Sequence, residues 1–264
     1  NDFTSSGLTA SDQMTDTPTN NYATWNPLQS YPGVAKPMAM SDGNLLSSGN
    51  NAYAAGYMIA YSSIAIDVED PDGFYCELET PPHTYYTGHS QGFGVIPEGH
   101  PGTTFPGYDG AVCAYQASAT TSSLFDGVTF IGASGGYSWD ISSSGATVIL
   151  QIFVRGGKIW LGVGGTWVGP GSPNPNTDTA PLVSGKTGKW FIANLGYGSS
   201  ASTSYTCDRY IRAQESDWTY TPPVDAKALC TANLPEPTIG PNSDILPSEV
   251  FAPVTYTGNG TSQT

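Results

Sequence analysis

The chain has 264 residues, with 32 glycines, 21 prolines and only 11% charged residues, a composition poor in helix formers and rich in residues that favour turns and strands. Its formal net charge is −14 and it holds only eight Lys and Arg together, so it offers no basic surface that could neutralise a phosphate backbone. No apolar run approaches the roughly 18 residues of a membrane-spanning helix. We therefore expect neither nucleic acid binding nor membrane insertion.

The ends of the chain differ in composition from its middle. Residues 1–24 are rich in Ser, Thr, Asn and Asp without periodicity, which predicts an extended N-terminal arm. Residues 25–221 alternate short apolar runs with Gly, Pro and Asn clusters, the spacing typical of an all-β, antiparallel β-sandwich. Residues 222–264 are punctuated by prolines, which remove ladder donors, so we predict an extended tail or linker packed on a partner or on the domain itself.

The first strong strand pattern covers residues 60–70. Ile64, Ile66 and Val68 fall on one face of it, as period-two alternation requires. The next run, 73–80, alternates in the same way, with its apolar residues inward and its glutamates outward. An Asp-Pro-Asp-Gly turn joins the two runs, so we predict that they pair as antiparallel neighbours.

The best hairpin pattern lies in the second half of the chain. The run 146–154 is apolar on nearly both faces, as in a central strand covered on both sides. Gly156 and Gly157 follow and can supply the positive φ angles of a primed turn before the strand resumes at 159–163. A further strand is predicted at 189–197.

Four cysteines are spread along the chain without any CxxC pair, which gives no support to a zinc or redox site. We expect buried thiols at Cys76, Cys113, Cys207 and Cys230. A disulfide between Cys207 and Cys230 stays open, because pairing does not follow from sequence.

Two glutamates and three histidines are the candidates for chemistry. Glu77 and Glu79 lie two apart on one strand face, and paired carboxylates are the machinery of glycosidases. Their spacing does not reproduce an E-x-D-x-x-E run, and an outward pair is more often a solvated face. His83, His89 and His100 fit no zinc spacing. We therefore predict no catalytic residue, no metal and no cofactor.

Exposed aromatic residues are the remaining candidates for ligand binding. They sit in Gly- and Pro-rich connections, where rings with polar tips suit contact with protein or glycan, or close the ends of a sandwich. Both interpretations stay open for Tyr85, Tyr86, Tyr108, Tyr137 and Trp139.

Several segments resemble a known family. GGKIWLGVGGTWVG at 156–169 is similar to a strand pair of SPRY-domain proteins encoded by tailed bacteriophages, and KWFIA at 189–193 stands where that family has a W-F-P-A strand. The lead-in at 8–28 and the segment YTPPVDAKALCTANLPEPTI at 220–239 resemble the same proteins, so the likeness covers most of the chain.

The resemblance implies a concanavalin-like jelly roll that acts as a non-enzymatic virion protein, assembled in the host cytoplasm. It implies a binding or structural module for capsid decoration or for tail-fibre adhesion to the host surface. The expected partners are other virion proteins, further copies of the chain in a homo-oligomer, and a host surface glycan or protein. The alternative is a glycan-degrading enzyme, a glycosidase or lyase, of a phage appendage.

Overall fold

The computed structural model describes residues 20–28, 36–49, 56–82, 89–101, 110–118, 121–131, 141, 146–198 and 207–234. In chain order the strands are β1 (Lys36–Pro37), β2 (Ala39–Ser41), β3 (Leu46–Ser48), β4 (Gly56–Tyr61), β5 (Ile66–Asp67), β6 (Phe74–Thr80), β7 (His89–Pro97), β8 (Val112–Ser118), β9 (Thr121–Asp126), β10 (Phe130–Ile131), β11 (Val148–Arg155), β12 (Lys158–Val163), β13 (Thr166–Val168), β14 (Lys189–Gly198), β15 (Arg209–Arg212) and β16 (Lys227–Ala228). Short 3-10 helices cover Pro175–Thr177, Glu215–Asp217 and Thr231–Asn233. No helix in the described ranges is both long and apolar enough to cross a membrane.

The strands form two eight-stranded sheets. Sheet I has the order β1-β4-β14-β7-β8-β9-β10, with β5 beside β14. Sheet II has the order β13-β12-β11-β6-β15-β3-β2, with β16 beside β6. Within the described residues only the short pairs β1–β4 and β16–β6 are parallel. The predicted all-β, antiparallel sandwich is therefore confirmed.

Side chains from the two sheets meet in a buried interior. Asn194 on β14 donates through its amide to Ser47 Oγ on β3 at 2.9 Å, and Arg209 on β15 donates to Gln91 Oε1 on β7 at 2.8 Å. Apolar residues of the same faces are buried around these polar links, among them Phe93, Val95, Ile192, Leu78, Leu150 and Ile152. A polar seam thus ties the two sheets together inside an otherwise apolar core.

The predicted hairpin is confirmed by the pairing of β11 with β12 from Arg155–Lys158 to Leu150–Val163. Gly156 and Gly157 have φ angles of 55° and 76°, as a primed turn requires. The predicted strand at 189–197 is β14, in the middle of sheet I.

The predicted pairing of residues 60–70 with 73–80 is wrong. Strand β5 pairs with β14 in sheet I, whereas β6 pairs with β11 and β15 in sheet II, so the chain passes from one sheet to the other at this turn. The β11–β12 turn holds the crossing: Gly156 N–H donates to Asp70 O at 2.9 Å and Gly157 N–H to Val68 O at 2.6 Å. The predicted run is also not one strand, because its first two residues end β4 and only Ile66–Asp67 forms β5.

Residues 213–230, called the strap below, cover the outer face of sheet II. They include most of the described part of the predicted tail, and Ala228, Leu229 and Cys230 are buried. The end of the predicted arm joins them, because Ala23 N–H donates to Leu229 O at 2.9 Å. Residues 1–19 of the arm and 235–264 of the tail lie outside the described residues, and those two segments stay predictions.

All four cysteine thiols are reduced and buried, so the Cys207–Cys230 disulfide left open by the sequence does not form. Burial away from water disfavours the thiolate and raises the pKa of Cys76 and of Cys113 far above the ordinary value.

Candidate functional site

Glu77 lies on the outer face of β6, beneath the strap, and is fully buried. Its carboxylate accepts hydrogen bonds from the Tyr75 hydroxyl at 2.7 Å, from Thr219 N–H at 2.7 Å and from Tyr220 N–H at 2.8 Å. The interpretation of this glutamate as part of a solvated face is wrong, because the strap excludes water from it. The three donors replace the lost hydration, and the two backbone N–H groups among them fix the strap over the sheet.

Tyr75 completes this buried network. Its hydroxyl accepts from Gln151 Nε2 at 3.2 Å while it donates to Glu77. Burial is the largest cause that raises the pKa of Tyr75 well above its ordinary value, and the nearby Glu77 carboxylate is the next. The phenol therefore stays protonated and remains a donor. The Trp218 ring of the strap packs edge-on against the Tyr75 ring at 4.8 Å between centroids.

Glu79 lies on the same face, two residues further along β6, and remains in contact with solvent. Its carboxylate forms an ion pair with Arg212 of β15, and the two side chains are 22% and 28% exposed. Arg212 is also held by the strap, because it donates to Asp217 O at 3.0 Å and to Thr219 Oγ1 at 2.9 Å. The guanidinium is therefore oriented before any ligand arrives.

A first groove of about 440 Å³ opens on one side of this ion pair. It is lined by Leu45, Glu79, Tyr210, Ile211, Arg212 and Asp217. The Tyr210 hydroxyl donates to Asp42 Oδ2 at 3.2 Å, which anchors the tip of the ring. Partial burial and the Asp42 carboxylate raise the pKa of Tyr210, so this phenol also stays neutral.

A second groove of about 570 Å³ opens on the other side of the pair. It is lined by Glu79, Thr147, Val148, Ile149, Val163, Gly164, Arg212, Thr219 and Tyr220. A Cβ at Gly165 would lie 2.6 Å from the Tyr220 ring, so the ring rests directly on this glycine of the β12–β13 turn. Val148, Ile149 and Val163 thus give the second groove apolar surface, and Tyr220 adds an aromatic ring to it.

The two glutamates do not form an accessible pair of carboxylates. Glu77 is enclosed and saturated with donors, while Glu79 is engaged by Arg212. Glu79 and Asp217 do line one groove together. Among the described residues, no group of three or more His, Cys, Asp or Glu is placed to hold a metal ion.

The aromatic residues predicted to bind ligand lie outside the described residues, and neither interpretation of them is tested. They are Tyr85, Tyr86, Tyr108, Tyr137 and Trp139. Sequence reasoning missed Tyr210, Arg212, Asp217 and Tyr220, which come to Glu79 only through the pairing of β15 with β6 and the path of the strap. No motif marks these four positions.

No protein-family model and no curated protein matches the chain. Solved structures resemble it at low identity. The SPRY domain of human HERC1 has a TM-score of 0.39 and 11% identity over 67% of this chain and 93% of that one. The alginate lyase AlgAT5 of polysaccharide lyase family 7 has a TM-score of 0.38 and 10% identity over 67% of this chain and 80% of that one. A β-1,3-1,4-glucanase from a mouse hindgut metagenome has a TM-score of 0.37 and 11% identity over 76% of this chain and 93% of that one.

The structure itself shows a two-sheet, largely antiparallel β-sandwich. The TM-scores below 0.4 to these solved structures bring no activity to the chain. The prediction that the chain is not an enzyme is corrected, because solved structures that resemble it at about 10% identity include alginate lyases and a β-1,3-1,4-glucanase. The fold gives no ground for excluding catalysis.

Proposed function

We propose that this chain is a glycan-recognition module of a bacteriophage particle, which binds a neutral host-surface glycan at the Glu79–Arg212 pair. The observation that carries the proposal is the position of this ion pair. It is partly exposed, held on the sheet by the strap, and shared by two grooves.

The pair complements adjacent hydroxyl groups. A hydroxyl both donates and accepts, a carboxylate only accepts, and a guanidinium only donates. Glu79 and Arg212 side by side therefore present an acceptor and a donor edge to two neighbouring sugar hydroxyls. Tyr210 and Tyr220, one in each groove, add flat apolar surface for the C–H face of a sugar ring.

Charge favours a neutral ligand over an acidic one. Glu79 and Asp217 outnumber Arg212 in the first groove, and the whole chain has a net charge of −14. An acidic polysaccharide would meet net repulsion at this surface, whereas a neutral glycan forms its hydrogen bonds without that cost.

The virion location is supported by the sequence resemblance at 156–169 and 220–239. On a particle, a rigid sandwich would display the grooves, and contacts with other virion proteins and with further copies of the chain would hold it in place. Antibody labelling in electron micrographs of particles from the encoding phage should decorate their surface. Particles that carry none of the chain would contradict this location.

Binding is tested on an array of neutral and acidic glycans that includes the laminari-, cello-, malto- and manno-oligosaccharides. The wild-type chain should bind at least one neutral series, and Glu79→Gln should weaken that binding by about tenfold or more. Glu98→Gln is the matched control, since Glu98 is exposed and lines neither groove. Absence of neutral binding, or equal binding by Glu79→Gln, would contradict the proposal.

Glycan cleavage is the second candidate function, because Glu79 and Asp217 both line the first groove and glycosidases act through a pair of carboxyl groups. The bound glycan should then be converted to products with new reducing ends, and Asp217→Asn should abolish this release while the glycan still binds. Prolonged incubation without new reducing ends would exclude hydrolysis and leave recognition standing.

A further inference from the structure

Resting on the proposed function, we infer that the two grooves are halves of one continuous site, which takes an internal stretch of a polysaccharide and not a chain end or a single sugar. The Glu79–Arg212 pair lines both grooves and so lies at their junction. A ligand bound at the pair has room on both sides.

The strand order sets the direction of the site. The second groove lies over the ends of β12 and β11, Glu79 is on β6, and the first groove continues over β15 to Leu45, which precedes β3. The site therefore runs across five neighbouring strands. At about 4.8 Å between strands this distance is about 19 Å, longer than one sugar ring.

The strap forms a common wall along this path. Its residue Asp217 borders the first groove, and Thr219 and Tyr220 border the second. Four hydrogen bonds fix the wall: the N–H groups of Thr219 and Tyr220 donate to buried Glu77, and Arg212 donates to Asp217 O and Thr219 Oγ1. The wall is thus in place before a ligand binds, which lowers the entropic cost of holding a chain.

Size and chemistry agree with an extended neutral ligand. Volumes of about 440 and 570 Å³ each fall within the range of roughly 300–1,000 Å³ that small-molecule sites occupy. Each half combines apolar residues with a tyrosine, and the charged pair stands between the halves. Alternating flat surface and hydroxyl-binding groups match the repeating rings and hydroxyls of a glycan chain.

The test compares disaccharide and hexasaccharide members of the laminari-, cello-, malto- and manno-series by isothermal titration. In the series that binds, the hexasaccharide should bind about tenfold tighter or more than the disaccharide. Reduction of its terminal sugar to the alditol should leave the affinity unchanged, because the site contacts internal sugar units and not the chain end.

The variant Thr147→Arg fills the rim of the second groove from an exposed position directly before β11. It should lower hexasaccharide affinity to about that of the disaccharide, and a wild-type far-ultraviolet circular dichroism spectrum and melting temperature show that the variant folds. Thr187→Arg places the same side chain on an exposed threonine outside both grooves and should change neither affinity.

The outcomes separate the two proposals. Equal wild-type affinity for disaccharide and hexasaccharide, or a Thr147→Arg variant that binds the hexasaccharide as the wild type does, overturns the continuous site and leaves glycan recognition intact. Lack of binding to every neutral glycan overturns glycan recognition itself.

Discussion

The backbone N–H of Tyr220 donates a 2.8 Å hydrogen bond to the carboxylate of Glu77, a residue 143 positions earlier in the chain. This bond joins the strap to the middle of sheet II. It also sets the wall of the second groove, because Tyr220 lines that groove. A buried charge and a candidate binding surface are therefore parts of one arrangement.

Replacing Glu77 by Gln should destabilise the protein. The amide brings a donor into a pocket where Tyr75, Thr219 and Tyr220 already donate, so at least one of them loses its acceptor. We expect a loss of about 2–3 kcal/mol in the free energy of unfolding, measured by urea denaturation. The same substitution at exposed Glu98 should leave the urea midpoint of unfolding unchanged. Equal urea midpoints for the two variants would contradict the buried network.

The strap should behave as core and not as a loose tail. Leu229 is fully buried, whereas Val224 in the same Pro-rich segment is 61% exposed. Leu229→Ala should cost about 2–5 kcal/mol in the free energy of unfolding, because it leaves a cavity. Val224→Ala should stay within about 0.5 kcal/mol of the wild type. Thermal and urea unfolding of the two variants check this, and a small effect at Leu229 would count against strap packing.

The two glycines of the β11–β12 turn should differ in tolerance. Both have positive φ, which asparagine adopts more readily than most residues. A Cβ at Gly156 meets nothing within 4 Å, but at Gly157 it would lie 2.8 Å from the backbone oxygen of Lys186. Gly156→Asn should therefore leave the melting temperature nearly unchanged, while Gly157→Asn lowers it, as differential scanning calorimetry would show. Equal melting temperatures would argue against this close approach.

Asp67 should contribute to stability at neutral pH and lose that contribution in acid. The hydrogen bond from Lys189 holds the pKa of the Asp67 carboxyl below its ordinary value of 3.8. Because the folded-state pKa is the lower one, the stabilisation is present above about pH 4 and disappears as the pH falls through the folded-state pKa.

Asp67→Asn should thus lower the urea midpoint at pH 7 by the equivalent of at most about 1 kcal/mol, since the pair is partly exposed. In strong acid the variant and the wild type should have the same midpoint. A midpoint difference that persists unchanged at low pH would show that Asp67 acts through something other than its charge.

Local pattern in the sequence determined the strands and turns of the sandwich. Alternation at 73–80, continuous apolarity at 146–154 and the Gly156-Gly157 turn all follow from the side-chain period of a strand and from the φ freedom of glycine, which act over a few residues. Those features were predicted and found. Alternation did not reveal the partner of β5, because every strand of a sandwich presents one apolar face whichever sheet receives it.

Only the tertiary structure decided the burial of Glu77, the pairing of Glu79 with Arg212 and the two grooves. In sequence, an outward glutamate on a strand looks the same whether water or another segment covers it. Here the strap lies more than 130 residues later in the chain and supplies two hydrogen-bond donors that offset the free-energy cost of burying a carboxylate. Arg212 reaches Glu79 because β15 pairs with β6, a long-range choice made by the packing of the whole core.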